Sequence, residues 1–124
     1  MKVTYTSVYA DGNGESHFKD VEVELQEINF APPAKPLNVS SFNSATECGF
    51  VSAPSEWYGE RHPAPQRQFV FCLAGQVELG DSDGEVRTFG PGDILLLEDT
   101  TGKGHVTRVL GSADYLTAVV RLPG

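Results

Sequence analysis

The residues of this 124-residue chain whose types and spacing can do chemistry are His62, Gln68 and His105. Imidazole changes charge near neutral pH, so it can move protons or hold a metal. His62 and His105 are therefore the candidate catalytic residues. Gln68 opens the run Gln68-Phe69-Val70-Phe71-Cys72-Leu73-Ala74, where an amide on an otherwise apolar face needs partners. It either bonds a neighbour or points at a ligand. Together, His62, Gln68 and His105 form a candidate set for a divalent ion such as zinc, iron, manganese or nickel. An amide oxygen is a poorer ligand than a carboxylate, and a tight site needs three or four protein donors. Glu60 shares the period-two face of His62 and is the candidate additional donor. Trp57 and Tyr58 stand nearby and either stack a ligand or pack under the N-terminal connector. A metal-free site is the standing alternative.

Other motifs add less. Gly102-Lys103-Gly104 lacks the spacing and the following helix of a phosphate loop. No serine sits on a nucleophile elbow, so no Ser-His-Asp triad can be argued. Lys103 and Arg108 either meet an anionic ligand at the rim or carry solvated charge. Cys48 and Cys72 make no disulfide framework and read as reduced packing residues.

The elements that must position these groups are strands. Residues 3–9 alternate, and Asp11-Gly12-Asn13-Gly14 is a turn. Val21-Glu22-Val23-Glu24-Leu25 alternates strictly, which predicts a half-buried strand reaching Ile28 or Phe30. Pro32, Pro33 and Pro36 exclude a helix or a central strand and predict an extended connector over the outside of the body. Strands are predicted at 46–53, 68–74, 76–80, 86–89, 94–97, 105–110 and 115–122. The first of the central pair is apolar on both faces, which predicts burial on both sides. Gly75 is read as turning it, with Gln76–Gly80 running back. The 13 Gly and 8 Pro lie between short apolar runs, and no window has helical periodicity. This is the pattern of an all-β sandwich or barrel in one domain.

The spacing around the histidines carries a resemblance. His62-x-Ala64, then Gln68, then six residues, then Gly75, resembles the first motif of the cupin superfamily, His-x-His, a Glu, six residues and a Gly. Pro91-Gly92-Asp93, an apolar strand, a polar loop and His105 resemble the second motif. The likeness spans about residues 57–121. It implies a double-stranded β-helix, the jelly-roll cupin barrel, with residues 46–124 as the barrel core. Residues 1–45 are then an N-terminal extension of strands and Pro-rich connector. In metal-binding members two His and a Glu of the first motif and a His of the second hold the ion. Here the second His position is Ala64 and the Glu position is Gln68, so two of four ligands are replaced.

Function is bounded more loosely. A net charge of -8 gives no basic footprint for nucleic acid. No run reaches the roughly 18 apolar residues of a membrane span. The opening Met-Lys-Val-Thr-Tyr-Thr has no apolar signal segment, so a cytoplasmic protein is expected. The expectation is a barrel that binds a small polar or acidic molecule, with or without a weakly held divalent metal, as an enzyme or a binder. The alternative is a metal-free, non-catalytic ligand-binding or structural cupin. A homodimer is expected, with the first 45 residues in its interface.

Overall fold

The computed structural model describes residues 1–124. It has strands and no helix: β1 (Lys2–Ala10), β2 (Ser16–Glu24), β3 (Gln26–Ile28), β4 (Leu37–Val39), β5 (Glu47–Ala53), β6 (Tyr58–His62), β7 (Gln68–Ala74), β8 (Gln76–Asp81), β9 (Val86–Phe89), β10 (Ile94–Leu97), β11 (His105–Leu110) and β12 (Tyr115–Arg121). A six-stranded sheet runs β2-β1-β10-β7-β12-β5, and a four-stranded sheet runs β6-β11-β8-β9. The core lies between them and is built of inward residues such as Val8, Val70, Val77, Leu79, Leu95 and Val109. The two sheets face each other across this core.

The jelly-roll expectation holds, with informative differences. β1 and β2 complete the larger sheet, β1 pairing with β10 in parallel. The strand predicted from Val21 to Ile28 breaks at Leu25. The reason is the partner: Lys2 opposite Glu24 is the last pair of the β1–β2 ladder. Beyond it, β3 pairs only with β4, and this hairpin is an arm.

The predicted reversal at Gly75 is wrong in its geometry. β8 does not pair with β7; it lies in the opposite sheet, between β11 and β9. One residue is too short for a hairpin loop. Gly75, at φ 77°, makes a corner between sheets, and a side chain there would strike the Asp114 carbonyl.

Burial of β7 on both sides also needs correction. Gln68, Val70 and Cys72 point inward and are buried, while Phe69 and Phe71 are only half-buried and Leu73 is exposed. The outer face is apolar but incompletely covered. The Pro-rich segment is not the extended connector expected, because Pro32, Pro33 and Pro36 lie in the loop of the β3–β4 hairpin. Only the residues after it follow the outside of the body, where Ser40, Ser41 and Phe42 line one side of an outer groove. Residues 57–62, to which the pattern assigns no element, form β6 from Tyr58 onward, ended by Pro63 and Pro65. No helix is long and apolar enough to cross a membrane.

Candidate functional site

His105 begins β11, directly opposite His62 of β6 on one side and Asp81 of β8 on the other. Its position is set by Gly104, at φ 76°, whose Cα packs against the His62–Pro63 backbone with no room for a Cβ. The preceding loop is tied down from its other end, where the Ala64 amide donates to the Asp99 carbonyl at 2.9 Å. The Asp99 side chain is thereby fully buried, and its Oδ2 accepts from His105 Nδ1 at 2.6 Å. A carboxylate only accepts, so the proton sits on Nδ1 and Nε2 is the free ring nitrogen.

Gln68 comes in from the other sheet. Gln68 and His105 line one interior cavity of about 160 Å3, together with Val70, Leu95, Thr107 and Thr117. Buried Oε1 of Gln68 has no hydrogen-bond partner. This is the arrangement expected of a ligand site: an apolar wall with a few placed polar groups, on a scale below the roughly 300 Å3 of drug-sized pockets.

Two acids stand behind His105. Besides Asp99, Asp81 ends the inward series Val77, Leu79, Asp81 of β8, is 2% exposed, and leaves both carboxylate oxygens unpartnered. Burial, reinforced by the negative charge of Asp83, pushes its carboxyl up to about 7. Neither acid was legible as a site residue. Asp81 sits in Asp81-Ser82-Asp83-Gly84, which reads as a turn, and Asp99 in a loop that reads as polar rim. Only the alternation Val77-Leu79-Asp81 signals an inward acid.

The other candidate residues spread out. His62 lies beside His105, ring centroids 5.5 Å apart, but is exposed and its Nδ1 donates to the Glu60 carbonyl at 2.6 Å. A bulge between His105 and Thr107 in the β6–β11 ladder upsets the period-two argument for Glu60, whose side chain is exposed. Trp57 lies against Gly59, and Tyr58 stands opposite Arg108 with 56% exposure. Neither of them, nor Glu60, nor His62, lines the cavity. Lys103 pairs with Glu15 and Arg108 with Glu78, so neither cation is turned to an interior anion.

The donors do not fit a resident transition metal. Ala64 is buried and has no donor, and one nitrogen of each histidine is already engaged. No three His, Cys, Asp or Glu side chains converge as a shell. Asp81 stands beside His105 but does not line the cavity, His62 is exposed outside it, and Gln68 offers only a neutral amide, so no single point gathers the three or four strong donors such a site requires.

No protein-family model and no curated protein matches the chain in sequence. Solved structures do match in shape. A Cupin 2 conserved barrel domain protein from Salinispora arenicola superposes with a TM-score of 0.52 at 15% identity, over 94% of this chain and 82% of that one. The cupin domain of Cnp3 from Schizosaccharomyces pombe matches over 97% of this chain and 88% of that one, with a TM-score of 0.48 and 11% identity. Two facing sheets, the interior cavity and the first of these similarities together give the chain a cupin-like jelly-roll fold.

Proposed function

We propose that this barrel binds a small molecule in the cavity where Gln68 and His105 meet, without a resident metal. The observation that carries the reading is the orphaned Gln68 Oε1, buried beside an oriented histidine. An unpartnered buried acceptor destabilises a fold by about 1–3 kcal/mol, and a ligand that satisfies it offsets that penalty. The Asp99–His105 pair can also accept or deliver a proton at a bound group, so the site is competent for acid–base chemistry. Replacing Gln68 by Leu tests the reading. The variant is expected to gain about 1 kcal/mol in urea denaturation and to lose the amide shifts that small fragments induce at Thr107, Thr117 and Val119. Unchanged fragment binding in Gln68→Leu would overturn it.

The arm favours a second, independent statement: the protein is a homodimer. β3 and β4 pair with each other and with no other strand. Their flanks expose Ile28 (44%), Phe30 (51%) and Leu37 (50%), and Phe42 is 76% exposed. An isolated two-stranded hairpin is marginal in water and needs a surface to pack on. Next to it, a groove of about 470 Å3 on the outer face of the large sheet is walled by Tyr5, Phe69, Phe71 and Ile94. None of its thirteen lining residues carries a charge. Two molecules of net charge -8 repel at a distance, so an uncharged face is the surface where they approach at least cost, and each copy has an apolar arm to lay against the other's groove. Light scattering should give twice the chain mass, falling to one in Phe42→Asp and Leu37→Asp; a monomer in the native chain, or a dimer indifferent to both changes, counts against it.

A further inference from the structure

We propose that the molecule held beside His105 is a small cation rich in hydrogen-bond donors: a primary amine, an amidine or a guanidine. This rests on the reading that the cavity binds a small molecule, and narrows its class.

The argument starts from what the interior leaves unmatched. The side-chain atoms buried without a partner are Gln68 Oε1, Asp99 Oδ1 and both oxygens of Asp81, all acceptors. Three of the four belong to carboxyl groups. Buried carboxylates are normally paired with a cation, because an unpaired charge loses its hydration without return. No lysine or arginine is among the buried residues. The basic side chains of the flanking segments are engaged elsewhere: Lys103 with Glu15, Arg108 with Glu78, and Arg61 on the Gly104 carbonyl at 3.0 Å. The inner end of the barrel therefore holds two acids and no buried lysine or arginine to balance them.

The cavity is the route by which a counter-charge can arrive. His105 lines it and touches Asp99. Asp81 is the residue directly across the ladder from His105, which places their Cβ atoms about 5 Å apart. A positive group in contact with the His105 ring thus lies within the roughly 8 Å over which charges interact at physiological ionic strength, and the apolar walls weaken the screening further. Contact chemistry agrees. With Nδ1 committed to Asp99, Nε2 is the ring nitrogen left to face a ligand. Thr117 donates its hydroxyl to the Val51 carbonyl at 3.0 Å, which leaves its lone pairs to accept. Gln68 adds its amide oxygen. A carboxylate ligand would find only neutral donors, the Gln68 NH2 and the Thr107 hydroxyl, and no lysine or arginine in the lining to offset the buried acids, so the acidic ligand is the disfavoured class.

Butanamidine, butanamide and butanoate share size and shape and differ in charge, which makes them the probes. Titrations of the intact protein at pH 7.5, followed at the backbone amides of Gln68, His105, Thr107 and Val119, should rank amidine over amide over acid, with at least a tenfold preference for the amidine over the acid. In Asp81→Asn and, separately, Asp99→Asn, that preference should shrink severalfold while the amide binds as before. Butanoate binding as tightly as the amidine would overturn the cation assignment and leave ligand binding standing. A preference unchanged in both variants would remove the two acids from the account. If none of the three shifts any cavity amide, the binding reading itself fails and this inference with it.

Discussion

The two faces of strand β7 differ in kind. On its inner face Gln68 and Val70 line a cavity of about 160 Å3 where polar groups are few and Gln68 Oε1 is left without a partner. Its outer face, Phe69 and Phe71, borders a groove of about 470 Å3 with no charge in its lining. The first is the pattern of a site that fixes a small molecule by a few polar contacts. The second is a wide apolar patch, the pattern of contact between proteins. Alternation of side chains along one strand lets the same seven residues build both. A protein needs no extra element to carry two unrelated recognition surfaces on one sheet.

The sharpest way to break this comparison is to place the same change on adjacent residues. Val70→Asp puts an unpaired carboxylate into the core and should abolish folding, read as loss of dispersed amide signals. Phe71→Asp puts it into the outer groove and should leave a folded, ligand-competent monomer. If both variants unfold, the outer face is core and the distinction collapses. A smaller effect is expected at Gly104. Alanine there takes a left-handed conformation and collides with the His62 carbonyl, so Gly104→Ala should lose at least about 2 kcal/mol and disorganise the cavity while leaving the mass in light scattering as in the native protein. Gly12→Ala, where nothing lies within 4 Å, is the control and should change stability by less than about 0.5 kcal/mol. Urea denaturation of the pair decides it.

The strand framework was legible because each strand carries its own signal. Gln68–Ala74 and Ile94–Leu97 are read from local composition, and the structure returns those bounds. Gln68 and His105 were legible as a pair because the turn residues between them fix the count. What the sequence does not show is which sheet a strand joins. Gly75 looks the same whether it closes a hairpin or turns a corner, and the choice is decided by β8 pairing with β11, some thirty residues on. The acids were hidden for a related reason. Asp81 and Asp99 have the composition of turn and loop, and become site residues only when long-range pairing closes around them. Glu60, Trp57 and Tyr58 erred the other way: nearness in sequence to His62 did not survive the bulge in β6.

The subtlest difference between the two faces is in their response to pH. The outer groove has no Asp, Glu, His, Lys or Arg in its lining, whereas the inner end holds Asp81, whose carboxyl is raised to about 7 by burial. The unfolded chain releases that proton near the ordinary value of 3.8. Between these two values the folded state binds more protons than the unfolded one, so stability from this group is complete below about 4 and declines as pH rises to about 7. Above that window the fold carries an ionised, unpartnered carboxylate. Asp81→Asn, which cannot ionise, should therefore match the native protein near pH 4.5 and exceed it at pH 8, by on the order of 1–3 kcal/mol. Saturating butanamidine should reduce that excess at pH 8, because the bound cation stabilises the ionised native Asp81 and gives the asparagine no equivalent gain. Urea midpoints for both proteins at the two pH values, with and without the amidine, measure this directly. An Asn variant equally shifted at both pH values would mean that Asp81 is solvated and ionised throughout, and the inner face would then hold no unmatched charge to set it apart from the outer one.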